Sequence, residues 1–228
     1  MSGRGAAAGP PRSPRVIALV GIDGSGKTTQ AHRLAATLTT QGTPATYWQN
    51  AGGRRWFGRL ARGLGLPDAR RLLGREGLLA VESALRWLAI LRALVRSRLT
   101  GRIAVMDRYA ACQFASIRVQ RGGRLSDRLA RGERLARLAY AAFPRPQVTF
   151  LLAVDPTEAY RRIERRGTDH ESLEFLARSA EAYRRLPEVA QFVVVDAGGT
   201  VDEVAEAIRG GVAAPCLRPG HRPGSRRR

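Results

Sequence analysis

The chain reads as an α/β protein, a three-layer domain with helices on both faces of a five-stranded parallel sheet. Three observations lead there. Short apolar runs rich in β-branched residues alternate with stretches of helical period along the 228 residues, the order that builds a parallel sheet. The runs are apolar throughout instead of alternating with polar residues, as strands buried on both faces are. A glycine-rich turn, Gly21-Ile22-Asp23-Gly24-Ser25-Gly26-Lys27-Thr28, joins the first run to the first helix. It follows the pattern G-x-x-x-x-G-K-[ST] of a phosphate-binding loop.

Taken in order, Arg15–Val20 is the first strand, and the helix after the loop carries Ala31, Leu34, Ala35 and Leu38 at helical spacing to Gln41, where Gly42 ends it. Ala45–Trp48 is the second strand. Residues 52–75, rich in glycine and arginine, read as irregular with room for short helical pieces. A helix over Glu76–Leu99 repeats leucine at 78, 79, 85, 88, 91, 94 and 99. Ile103–Met106 is the third strand and runs into Asp107-Arg108-Tyr109. Helical patterns cover 112–120 and 126–142. Val148–Val154 is the fourth strand, closed by Asp155-Pro156, where proline suits the first turn of a following helix. Phe192–Val195 is the fifth strand, followed by Asp196-Ala197-Gly198-Gly199 and a helix over Val201–Arg209.

Composition excludes several classes. Hydrophobic residues make up 44% of the chain, ordinary for a globular protein, and no apolar run approaches the roughly 20 residues that span a membrane. No apolar secretory segment opens the chain. Cys112 and Cys216 are too few for a disulfide framework, and His32, His170 and His221 show no metal spacing. These features predict a cytoplasmic protein. The formal charge of +20 is uneven. Arg4, Arg12 and Arg15, with Arg218, Arg222, Arg226, Arg227 and Arg228, supply eight of it with no acid beside them. The expected division is therefore a basic tail (1–14), one folded domain (15–211) and an Arg/Pro-rich tail (212–228), both tails disordered. A nucleic-acid contact through them is unlike the rest of the pattern, because arginine fills solvated positions throughout and lysine is absent from them.

Lys27 is the one lysine among 39 basic residues. A phosphate loop explains the exception: its lysine places a compact ammonium among phosphate oxygens, where a branched guanidinium does not fit. Gly21, Ile22, Asp23, Gly24, Ser25, Gly26, Lys27, Thr28 and Thr29 form the expected cradle for a nucleoside triphosphate, its phosphates met by main-chain N–H groups and the helix N-terminus. The Thr28 hydroxyl would hold Mg²⁺. Asp107, ending a strand beside the loop, is either a carboxylate that reaches that ion or its bound waters, or a turn former. Arg108 has the geometry for a bidentate hold on a second anion. The charged run Arg161-Arg162-Ile163-Glu164-Arg165-Arg166, followed by Gly167-Thr168-Asp169-His170-Glu171, is either a solvated helix end or a short lid whose arginines close on phosphates.

Together these features resemble the thymidylate kinase family, of the nucleoside monophosphate kinase fold, over about residues 15–210. The resemblance rests on the segment 21–30, on Asp107-Arg108-Tyr109, on Phe150–Pro156, on Arg162–Arg166, on Glu171–Phe175 with Tyr183, and on Asp196-Ala197-Gly198. It implies ATP and Mg²⁺ as cofactors, a nucleoside monophosphate (best dTMP) as acceptor, and a homodimer with the leucine-rich helix as candidate interface. It implies catalytic roles for Lys27, Arg108, Arg162, Arg165 and Arg166, acceptor contacts from Asp23, Arg86, Arg108 and Tyr109, and metal contacts from Thr28 and Asp107. Asp196–Gly198 would border the donor's adenine. Four departures concern the acceptor. Gln49-Asn50-Ala51-Gly52-Gly53-Arg54 stands where the family has an Arg-Glu-Pro-Gly type sequence, leaving Arg54 or Arg55 to replace its arginine. Glu82 stands where a phenylalanine stacks on thymine. Cys112 replaces a serine, and Ser116-Ile117 a Tyr-Gln pair. A kinase for another acceptor on the same scaffold, or a nucleotide-binding module without transfer, are the alternative readings.

Overall fold

The computed structural model describes residues 15–50, 69–120, 127–167 and 171–212. They form strands β1 (Val16–Val20), β2 (Ala45–Gln49), β3 (Ile103–Asp107), β4 (Val148–Ala153) and β5 (Val193–Asp196). The helices are α1 (Lys27–Thr40), α2 (Ala69–Thr100), α3 (Ala110–Gln120), α4 (Asp127–Ala141), α5 (Pro156–Arg166), α6 (Leu173–Arg184) and α7 (Val201–Gly211), with a 3₁₀ turn over Pro187–Gln191. The sheet order is β2-β3-β1-β4-β5, and every pairing is parallel. The expected architecture is therefore the observed one.

The apolar runs are apolar because both faces are covered. All five residues of β1 and of β3 are buried, Asp107 included. Neighbouring residues of β2 show the two layers directly, since side chains alternate across a strand. Tyr47 stacks on His32 of α1, with ring centroids 3.6 Å apart. Trp48 turns the other way, with the Arg92 guanidinium of α2 at 5.4 Å from its ring. Helix α7 packs beside α1, and α3 packs against α4 and α6. Each fully buried Ile, Leu or Val of β1 contributes about 1.5–3 kcal/mol relative to exposure.

Boundaries follow local chemistry. Gly42, at φ 81°, ends α1 while Thr43 N–H returns to the Leu38 carbonyl. Asp155 caps α5 by accepting from Thr157 N–H at 2.8 Å, with Pro156 in the first turn, and Gly167 at φ 62° closes it. Ser172 caps α6, and Thr200 with Glu203 forms a capping box on α7. One expectation is corrected: residues 69–75, read as irregular with at most short helical pieces, belong to the long helix α2. Smaller shifts are that β5 begins one residue late and α7 extends to Gly211. Residues 1–14 and 213–228, Arg54 and Arg55, and Thr168–His170 lie outside the described residues.

Candidate active site

The C-terminal ends of β1 and β3 lie side by side, with Leu19 paired to Asp107, so the glycine-rich loop and Asp107-Arg108-Tyr109 leave the sheet together. Two glycines of the loop have no room for a side chain. A Cβ on Gly21 (φ 146°) would sit 2.6 Å from the Leu152 carbonyl oxygen, and one on Gly24 (φ 83°) 2.5 Å from that of Ala159. The loop thus rests its back on β4 and α5. Its open side faces the N-terminus of α1, which differs from the other capped helices. Gly26 is its N-cap, no side chain caps it, and no acid stands in its first turn, whereas α5, α6 and α7 each have both. The free N–H groups and positive dipole end are left for an anion.

Lys27 is buried, and its Nζ donates to the Ile22 carbonyl and, at 3.4 Å, to Ser25 Oγ. Burial draws its pKa below the ordinary lysine value, opposed chiefly by the Asp23 carboxylate, whose Oδ1 lies 3.6 Å from Nζ. The same Oδ1 accepts from the Arg108 guanidinium. One carboxylate therefore holds the two cations that would grip donor and acceptor phosphates. Burial is the largest influence on Arg108 and works against its charge, but Asp23, joined by Cys112, Tyr183 and Asp107, outweighs it and the net shift is upward, so Arg108 stays cationic. Its backbone is unusual: φ is 77°, the one positive value at a non-glycine position among the described residues. Such a conformation costs about 1–3 kcal/mol and persists only where the surroundings hold it.

Asp107 is buried. Its Oδ2 accepts the Thr28 hydroxyl at 2.5 Å, with the Tyr47 phenol at 3.5 Å, while Oδ1 is buried without a hydrogen-bond partner. Burial, then the Asp107 charge, push the Tyr47 pKa up to about 12. A carboxylate oxygen unpaired beside a threonine hydroxyl is a fitting ligand set for a hard divalent cation or its bound waters, because an orphan buried acceptor is otherwise costly.

The other expected residues are more scattered. Tyr109 is buried and donates to the Pro144 carbonyl at 2.8 Å, so its phenol anchors the segment after β3 to the chain before β4. Arg86 is buried on α2, its Nη1 donating to Gln113 Oε1 at 2.7 Å while its Nε is buried without a hydrogen-bond partner. Gln113 of α3 donates onward to Ser83, and Glu82 is buried one turn before Arg86. Gln113 escaped the sequence reading. Its signal was a single amide inside the otherwise apolar run 110–115 of a buried helix. Trp87 is committed to packing: it stacks on Phe143 and donates to the Ala139 carbonyl at 3.0 Å. Arg162 donates to Glu158 and to the carbonyls of Ala197 (2.8 Å) and Gly198 (3.1 Å), so it braces the loop after β5. Arg165 and Arg166 are exposed at the end of α5.

Comparison with known proteins places the chain in a family. The family model described as thymidylate kinase matches residues 19–208. The chain belongs to the thymidylate kinase family. A thymidylate kinase of Halorhodospira halophila is 33% identical over 220 residues, covering 91% of this chain and 97% of the relative. One of Solidesulfovibrio magneticus is 32% identical over 207 residues, covering 85% and 96%, and a probable thymidylate kinase of Archaeoglobus fulgidus is 29% identical over 198, covering 85% and 92%. The family is one of nucleoside monophosphate kinases, phosphotransferases that draw on ATP and typically Mg²⁺. The match spans the loop, the Asp107-Arg108-Tyr109 segment and α5 alike. No helix among the described residues is long and apolar enough to cross a membrane.

Proposed function

We propose that this protein transfers the γ-phosphoryl group of ATP to a nucleoside monophosphate, converting dTMP to dTDP. The observation that carries the reading is the single Asp23 carboxylate shared by Lys27 and Arg108: the loop that takes a triphosphate and the arginine suited to a second phosphate lie within one side chain of each other. An acceptor phosphate oxygen attacks the γ-phosphorus, the bond to the β–γ bridging oxygen breaks, and ADP leaves. The protein's part is alignment and charge stabilisation. Loop amides and Lys27 hold the donor, and Arg108 holds the acceptor phosphate with Asp23 near the sugar. Arg86, with Gln113, faces the base, and Tyr109 fixes the segment that carries Arg108. Arg162 steadies the loop beside the adenine, leaving Arg165 and Arg166 to meet the transferring group. Thr28 and Asp107 would hold Mg²⁺, which supplies charge neutralisation between the phosphates when bound.

A second copy of the chain is the proposed partner. Leu88, Leu91, Val95 and Leu99 are exposed along one face of α2, an apolar stripe that a matching helix would cover; light scattering on the purified protein reads the mass directly. The cytoplasm is the proposed compartment. ADP release measured across a panel of nucleoside monophosphates tests the reaction. dTMP should be turned over with ATP and Mg²⁺; a panel with no acceptor consumed would overturn the assignment.

A further inference from the structure

We propose that Asn50 is the positioning residue that locks Arg108 in its left-handed conformation and thereby sets the grip on the acceptor phosphate. The inference rests on the acceptor role given to Arg108 above. Between β2 and β3 the ladder ends at Gln49 opposite Asp107. Asn50 adds one main-chain bond, its N–H donating to the Asp107 carbonyl at 3.1 Å. Beyond that point β3 has left the sheet, and the Arg108 carbonyl has no strand to meet. The Asn50 side chain supplies the missing rung: Nδ2 donates to that carbonyl at 2.8 Å. On the opposite side the Arg108 N–H donates to the Leu19 carbonyl of β1 at 3.1 Å.

Both polar groups of Arg108's main chain are thus pinned, one by each neighbouring strand. Turning Arg108 to an ordinary negative φ rotates a peptide on one side of it and breaks a bond. Asn50 is only 1% exposed, so water does not replace the amide. Glycine would adopt this φ freely but brings no guanidinium. A site that needs both the left-handed turn and the cation needs an outside clamp, and a neutral amide is the right one: a carboxylate of the same size would face a carbonyl oxygen with no proton to give. Among the described residues Asn50 donates its hydrogen bonds to main-chain carbonyls, and it acts through the direction in which Arg108 leaves the backbone toward Asp23.

The test is a double-mutant cycle with steady-state kinetics on the full-length protein. Asn50→Ala should lower kcat/KM for dTMP about tenfold, mostly through the acceptor KM, with the KM for ATP within about twofold; tenfold corresponds to about 1.4 kcal/mol. In an Arg108→Ala background the same substitution should change acceptor kcat/KM by less than about twofold. Asn50→Asp, which keeps the size and loses the donor, should match or exceed the alanine effect, and it carries the cycle if the alanine variant does not fold. A full tenfold loss in the Arg108→Ala background, or an equal rise in the ATP KM, overturns the proposal. A ¹⁵N spectrum of the arginine Nε–H groups separates this idea from the assigned reaction. Loss of a slowly exchanging Arg108 signal in Asn50→Ala upholds the clamp even if no monophosphate is turned over. Normal dTMP turnover with that signal and the acceptor KM unmoved by Asn50→Ala defeats the clamp alone.

Discussion

The two ends of the site are built by different means. From Gly21 to Thr28 one continuous stretch supplies the donor cradle, and most of what it offers is main chain: positive φ at three glycines, a helix end left uncapped, and amides with no side-chain competitor. On the proposed reading, the acceptor end is assembled from side chains on separate elements: Arg86 of α2, Arg108 after β3, and Gln113 of α3, which bonds Arg86 and Ser83. A main-chain cradle tolerates almost no substitution and writes itself into sequence as a motif. A side-chain pocket can be rebuilt piece by piece, which is why the departures from the family pattern gather at the acceptor end.

The largest effect expected is at the donor end. Lys27→Ala should lower turnover at least about a hundredfold, the scale of losing a donor aimed at transition-state charge. Lys27→Arg should be nearly as impaired despite its charge, because the pocket among Ile22, Ser25 and Asp23 fits a compact ammonium. Near-normal steady-state turnover in the arginine variant would erase the contrast between a rigid cradle and an adaptable pocket. Next comes the one side chain the donor end borrows from another strand. Asp107→Asn should raise the Mg²⁺ concentration needed for half-maximal activity by about 10–100-fold, read by titrating the metal at fixed ATP. An unchanged requirement would mean that the metal rests on the loop alone.

Arg165→Ala and Arg166→Ala should each lower turnover about tenfold, roughly one charge-assisted bond, while leaving the acceptor KM within a few-fold. If both keep wild-type turnover, the cluster is a solvated helix end and the donor cradle works without it. The smallest and sharpest change is Glu82→Phe. Stacking on a base is worth about 1–3 kcal/mol, and at the low end of that range a ring at this place should lower the dTMP KM about five- to tenfold with turnover little altered. It should weaken any acceptor whose amino group Glu82 receives. If no acceptor's KM moves, Glu82 is not at the base, and Arg86 loses its assigned place with it.

How much was legible follows the same division. Strands β1, β3 and β4 showed themselves because burial on both faces makes a strand apolar throughout, and the loop because its spacing is rigid. The start of α2 stayed hidden: Gly74 weakens a helix by about 1 kcal/mol relative to alanine, so local preference argued against a helix that forms from Ala69. The hydrogen bonds of Asn50 and Gln113 were beyond reach for another reason. Each joins residues far apart in the chain, 58 positions in one case and 27 in the other, and nothing in the local spacing encodes the partner. Arg162 was expected at the phosphates, and its bonds to the carbonyls of Ala197 and Gly198 depend in the same way on where β5 ends.

The floor beneath the phosphate loop carries an evolutionary consequence. Gly21 lies against the carbonyl of Leu152 and Gly24 against that of Ala159, so the loop is cast on a template running from the end of β4 into the first turns of α5. Those contacts involve backbone oxygen atoms, and no exchange of side chain at 152 or 159 can loosen or compensate them. What must be inherited is a distance along the chain. An inserted or deleted residue between 153 and 158 would carry one support out of register with the other, whereas a change of side chain there leaves these two contacts in place. Selection acts on this stretch through its length, and alignments of relatives should be gapless across it even where their letters disagree.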